Sequence, residues 1–315
     1  MKGEDMLETL LSVKGLNKWF KDKHALKDIS FDVKRGEIMA ILGPNGAGKS
    51  TTIRNIMEII QPDSGEIEFT GHQGIPRDKI GYLPEERGLY KNVRVMDMLL
   101  FLADLKNYPL KQARERALAY LEKFGLGGKE NMKLEEFSKG MSQKVQFIAS
   151  ILHEPELLIL DEPFSGLDPV SQDQFKEEIY SLAQNGTAIL VSSHQMNVIE
   201  QICSRLFMIQ NGQKVIYGTL DDVKTQYANF KCTIRGENLE QAGLENLPLV
   251  VRTEYKEGMA ILSLGTETEP AKWLRQLPET LEIHELSIDR ISLHEIFIDI
   301  ATERNLIREA GEVYA

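Results

Sequence analysis

Cysteine is scarce in this chain. Cys203 and Cys232 are the only two, and they form no metal-binding or redox motif. Their number suits a reducing cytosol, and each reads as a small buried hydrophobe. No apolar run reaches 18 residues, so no transmembrane helix is expected. The opening residues Met1-Lys2-Gly3-Glu4-Asp5 are followed by no apolar segment of the signal-peptide kind, and no secretory leader is expected. Positive charge is also in short supply. The net charge of −11 speaks against a nucleic-acid surface, which is usually basic. Much of the excess acid lies after about residue 230, and it reads as the solvated surface of an acidic tail domain, not as a binder of anionic lipid. Repeats, low-complexity segments and long structureless linkers are absent.

The chain has 315 residues, enough for two domains and a sizeable core. Residues 43 to 51 carry most of the functional information. Gly43, Pro44, Asn45, Gly46, Ala47, Gly48, Lys49, Ser50 and Thr51 match the phosphate-binding pattern G-x-x-x-x-G-K-[ST]. The apolar run from Glu37 to Leu42 precedes them as a buried strand, and a helix-compatible stretch from Lys49 to Ile60 follows. Gly43, Gly46 and Gly48 let the backbone curl so that successive N–H groups face phosphate oxygens. The following helix adds the positive end of its dipole. Lys49 supplies a cation for the β- and γ-phosphates, and Ser50 a hydroxyl for Mg²⁺.

The surrounding pattern is that of an α/β domain. Alternating apolar residues at Leu10 to Leu16, and at Ile29, Phe31 and Val33, predict strands before the phosphate loop. Short strands follow at Glu66 to Thr70 and Ile80 to Leu83. Helical spacing then takes over from Arg94 to Lys106, Leu110 to Phe124 and about Lys139 to His153, predicting a helical insertion over residues 90 to 153. Strands return at Leu157 to Leu160, Ala188 to Ser192 and Leu206 to Gln210, with helices at Pro169 to Asn185 and Met196 to Cys203. This alternation argues for a mostly parallel sheet buried on both faces. From residue 229 onward a small α+β domain is expected. Its strands fall at Lys231 to Arg235, Leu249 to Tyr255, Met259 to Leu264 and Leu281 to Ile288. Its helices fall at Ala271 to Leu277 and Leu293 to Ile307.

A second motif stands at the end of one buried strand, where Leu157-Leu158-Ile159-Leu160 runs into Asp161-Glu162-Pro163. A strand ending in two acids places both at the carboxyl edge of the sheet, where ligands of open α/β sheets sit. Asp161 there suits Mg²⁺, which takes oxygen ligands, and Glu162 suits the task of orienting or deprotonating an attacking water.

Three further segments complete a set: Phe137-Ser138-Lys139-Gly140-Met141-Ser142-Gln143, Ser165-Gly166-Leu167-Asp168 and Ser192-Ser193-His194. In order and spacing, the five motifs resemble those of the ATP-binding-cassette (ABC) ATPases, over about residues 7 to 225. The resemblance implies a P-loop NTPase cassette over residues 1 to 228, with ATP and Mg²⁺ as cofactors. It implies that Phe20 stacks on adenine. It implies that Ser138 and Gly140 contact the γ-phosphate held by the opposite subunit, that Asp168 lies at the dimer interface and that His194 contacts the γ-phosphate. Two motifs depart from the family pattern. Lys139 and Met141 alter the signature L-S-G-G-Q, and Glu85 replaces the usual glutamine in Leu83-Pro84-Glu85-Glu86-Arg87-Gly88, where it could meet Mg²⁺ or its water. Both departures resemble a bacterial exporter subgroup with a small C-terminal α+β domain, including sodium- and drug-export ATPases. That resemblance implies an ABC-2-type transmembrane permease on a separate polypeptide, a second ATPase subunit in a homodimer, and a place on the cytoplasmic side of the membrane through the permease. Importer ATPases and non-transport ABC ATPases are the alternatives. The mixed helix–strand tail disfavours the first. The single cassette and the acidic balance disfavour the second.

Overall fold

A computed structural model of the chain describes residues 8–86, 88–226, 230–265 and 267–301. They divide into two compact units, the first ending at Thr219 and the second beginning at Leu220. The boundary expected at residues 228 and 229 lies outside the described residues.

The first unit opens with two long strands, β1 (Thr9–Phe20) and β2 (Lys23–Lys34), joined by a tight turn at Lys21-Asp22. β3 (Ile38–Leu42) leads through the phosphate loop into α1 (Lys49–Ile56), and β4 (Ser64–Phe69) and β5 (Ile80–Leu83) follow. The helical insertion holds α2 (Val95–Asp104), α3 (Leu110–Lys123) and α4 (Lys139–Ile151). The chain then returns as β6 (Leu157–Asp161), α5 (Pro169–Gln184), β7 (Ala188–Ser192), α6 (Met196–Ile202), β8 (Arg205–Gln210) and β9 (Gln213–Thr219).

Two sheets result. One has the order β5-β6-β7-β3-β8-β9, parallel except for β9, and the other is antiparallel in the order β2-β1-β4. Every residue of β3, β6 and β7 is buried, as expected for strands covered on both faces. The antiparallel sheet alternates, sending Leu11, Val13, Phe31 and Val33 into a core shared with Met39, Ile41, Leu190 and Phe207 of the parallel sheet. Phe31 and Phe207 meet there with ring centroids 4.7 Å apart. The helical insertion is tied on by a second aromatic cluster, in which Phe147 of α4 stacks on Phe175 of α5 at 4.3 Å and Phe124 meets both edge-on.

The second unit contains α7 (Leu220–Gln226), β10 (Phe230–Glu237), β11 (Val250–Lys256), β12 (Met259–Leu264), α8 (Pro270–Trp273), β13 (Glu282–Arg290) and α9 (Leu293–Ala301). Its four strands form an antiparallel sheet in the order β11-β12-β10-β13. Cys232, Ile234, Ala260, Leu262, Leu264 and Trp273 build a core of its own, with Trp273 Nε1 donating to the carbonyl of Pro248 at 2.7 Å. Burial pushes the Cys232 thiol up to about 12, which leaves it an inert core residue. Ser292 and Glu295 cap α9 reciprocally, with Ser292 N donating to Glu295 at 2.8 Å and Glu295 N donating to Ser292 at 3.2 Å.

The fold departs from the sequence expectation in a few places. β9 and α7 were not expected, because each buries one residue, Ile216 and Val223, and so carries almost no periodicity. The helix expected over Ala271 to Leu277 is α8 followed by a 3₁₀ turn over Leu274–Gln276. The last expected helix is described to Ala301, and its remainder to Ile307 lies outside the described residues.

A separate core predicts separability. Truncation near Tyr227, a position outside the described residues, is expected to leave the first unit soluble and folded. Thermal unfolding of truncated and full chains checks this. An insoluble fragment, or one melting far lower, would make the tail part of the first unit's core.

Candidate functional site

Four strand ends and one hairpin converge on a cleft of about 580 Å³. The phosphate loop supplies Asn45, Gly46, Gly48, Lys49, Ser50 and Thr51, while Asp161, Glu162 and His194 enter from the ends of β6 and β7. Glu85 enters from the segment after β5, and Phe20 from the β1–β2 hairpin. The remaining loop residues shape the cleft from behind. Gly43 and Ala47 are buried, and Pro44 lends its carbonyl to Lys49.

Gly43 and Gly48 of the loop are required by close approach. A Cβ on Gly43 would stand 2.2 Å from the carbonyl oxygen of Ile209, and one on Gly48 would stand 2.8 Å from Leu26 Cδ2. Both also have positive φ, 153° and 123°. The loop is thereby pressed against the end of β8 while its open side faces the cleft. The first turn of α1 has no acidic side chain and no side-chain cap, which leaves its N–H groups available to an anion.

Lys49 Nζ donates to the carbonyls of Gly43 at 2.6 Å and Pro44 at 3.3 Å. Burial lowers the affinity of this amine for its proton, and the carboxylates of Glu162, Asp161 and Glu85 oppose that shift. The lysine is therefore a half-buried cation surrounded by acids.

Asp161 pairs in register with Ser192 across β6 and β7, and the Ser192 hydroxyl donates to its carboxylate. The same register places the next residues side by side. Glu162 accepts from the Ser193 hydroxyl at 3.0 Å and from the backbone N–H of His194 at 2.9 Å, and His194 Nδ1 stands 2.9 Å from its carboxylate. Glu162 itself has φ 52°, a left-handed conformation that turns its side chain back toward β7. The carboxylate is almost enclosed, at 11% exposure, whereas the His194 ring is 76% exposed on the open side.

Ser138, Gly140 and Asp168 do not line this cleft. Ser138 caps α4, accepting from Met141 N at 3.2 Å, and Asp168 caps α5, accepting from Ser171 N at 3.0 Å. The Ser171 hydroxyl and N–H hold the Asp168 carboxyl below the usual range. A Cβ on Gly140 would lie 3.4 Å from the Gly166 carbonyl, so the two capping segments stand side by side as one exposed patch.

Sequence reasoning missed four contributors. Ser192 and Ser193 were legible as a motif, but not as the hydroxyls that fix Asp161 and Glu162. Lys23 and Ala25 also line the cleft. The hairpin register pairs Lys23 with Phe20, and the turn between them was a local signal that could have placed it. Arg87, in the segment carrying Glu85, lies outside the described residues.

Two family models match, "ABC transporter" over residues 26–165 and "ATP-binding protein DrrA1-3-like, C-terminal domain" over residues 218–301. The ABC transporter ATP-binding protein YhaQ of Bacillus subtilis is 37% identical over 92% of this chain and 98% of its own length. The daunorubicin resistance ATP-binding protein DrrA3 of Streptomyces coeruleorubidus is 29% identical over 97% of this chain and all of its own. A solved structure titled "Structure of ATP binding subunit of ABC transporter" superposes with a TM-score of 0.66 at 35% identity, covering 70% of this chain and 93% of that one. The chain belongs to the ATP-binding subunits of ABC transporters. It is an ATPase of the exporter-type group, with the phosphate-loop fold and the C-terminal domain expected from its sequence.

Proposed function

We propose that this subunit hydrolyses ATP at the cleft to drive an ABC-2-type membrane permease carried on a separate polypeptide, working as a homodimer at the cytoplasmic membrane face. The observation that carries this reading is the convergence of Lys49, Ser50, Asp161 and Glu162 on one cleft behind a phosphate loop. No helix among the described residues is long and apolar enough to cross a membrane, which fits a permease supplied in trans.

Each residue then has a task. The loop N–H groups of Gly46 to Thr51 and the cation of Lys49 bind the phosphates and hold them in line for attack. Phe20, 47% exposed at the cleft wall, offers its ring to the adenine. The hard oxygen donors Ser50, Asp161 and Glu85 fit Mg²⁺, which when bound neutralises phosphate charge in the transition state. Glu162, oriented by Ser193 and the His194 N–H, accepts the proton of the attacking water. The exposed His194 ring donates to the γ-phosphate. Ser138, Gly140 and Asp168 form a patch outside their own cleft, and this supports a role at the nucleotide of the second copy.

Glu85 lies on the segment between β5 and the helical insertion, where Gln146 of α4 reaches the Glu86 carbonyl. It is thus placed to report nucleotide state to a permease docked on the insertion. Glu85→Gln is expected to change how far the permease stimulates ATPase. Rates measured with and without permease in lipid check this, and equal stimulation of variant and wild type would count against it. The absence of any permease stimulation in the wild type would overturn the transport reading itself.

A further inference from the structure

The charge of the cleft is of the wrong sign for its ligand. Among the described residues, Glu85, Asp161 and Glu162 face it with three carboxylates, against two lysines, Lys49 and Lys23. Asp161 and Glu162 are engaged by the hydroxyls of Ser192 and Ser193. Glu85 is exposed, and among the described residues it has no hydrogen bond or ion pair. It nevertheless stands near enough to act on the charge of Lys49. A triphosphate entering alone would bring several further negative charges into this cleft.

We propose that Glu85 makes a divalent cation a condition of nucleotide binding as well as of hydrolysis, so that the cleft takes ATP as its metal complex and rejects the bare triphosphate. The inference rests on the reading of the cleft as an ATP site. The physical basis is Coulombic. Among the described residues, a glutamine at this position would leave two carboxylates against two lysines, whereas Glu85 tips that balance to net negative. A metal carried with the phosphates reverses the sign of what Glu85 meets, from repulsion to attraction. At this exposed position with ordinary salt, one such charge acting on several phosphate charges is worth about tenfold in affinity. The effect is specific to carboxylate charge, so aspartate at the same position should preserve it.

The test is ATP binding to the full chain by calorimetry, with Mg²⁺ and with EDTA, for wild type, Glu85→Gln and Glu85→Asp. The wild-type ratio of the two affinities should exceed that of Glu85→Gln by about tenfold, and Glu85→Asp should stay close to wild type. A second measurement needs no variant. Removing Mg²⁺ should weaken wild-type binding of ATP more than of ADP, because the γ-phosphate adds the charge that is repelled. Equal ratios in wild type and Glu85→Gln, or equal losses for ATP and ADP, would overturn the proposal and leave the ATP site intact. A wild-type chain that binds no ATP even with Mg²⁺ would overturn both.

Discussion

Lys49→Ala is expected to abolish ATP hydrolysis while the chain stays folded. The ammonium group sits within hydrogen-bond reach of the Gly43 and Pro44 carbonyls, at the mouth of the phosphate loop. Its removal takes away an electrostatic stabiliser of the transition state, worth on the order of 3–4 kcal/mol. It also leaves Glu85, Asp161 and Glu162 facing the phosphates with Lys23 as the one lysine among the described residues of the cleft. The fold does not depend on this side chain, because the loop and α1 are anchored by Ala47, Ile53 and Ile56 in the main core. Turnover of the purified variant, with circular dichroism to confirm folding, is the measurement. Wild-type-like turnover would refute the assignment of the phosphate loop.

Glu162→Gln is expected to keep ATP binding and lose hydrolysis by about 10²–10⁴-fold, the usual cost of removing a general base. The substitution is nearly isosteric. The amide oxygen can still accept from the His194 N–H, so the turn after β6 should hold. If closure requires ATP between two subunits, the variant should accumulate as an ATP-bound dimer. Gel filtration with ATP and Mg²⁺ reads this directly. A monomer for both variant and wild type would make dimerisation dependent on the permease. Retention of wild-type turnover would remove Glu162 from the proton-accepting role.

The cassette was legible because its central strands leave no ambiguity. Ile38–Leu42, Leu157–Asp161 and Ala188–Ser192 are apolar runs whose every residue is buried, and each ends at a motif. The helical insertion was equally plain from its spacing. Half-buried edge elements such as β9 and α7 were not, since one buried residue sets no period. The same division holds in the site. Residue types announced Lys49, Ser50, Asp161 and Glu162. The support given by Ser192 and Ser193 depends on a strand register between segments about thirty residues apart, which no local pattern encodes. The side-by-side placement of Gly140 and Gly166 was hidden for the same reason, because it arises from two helix starts that meet only in space.

Gln143 joins the helical insertion to the sheet edge that carries Asp161 and Glu162. Its side chain is buried, and its amide nitrogen donates to the Pro163 carbonyl at 3.1 Å, one residue beyond Glu162. An apolar side chain at position 143 could not make this bond, which ties α4 to the end of β6 at one point. Any tilt of the insertion must then either stretch this bond or drag the Asp161-Glu162-Pro163 turn with it. The link works as a linchpin between α4 and the turn that carries Glu162.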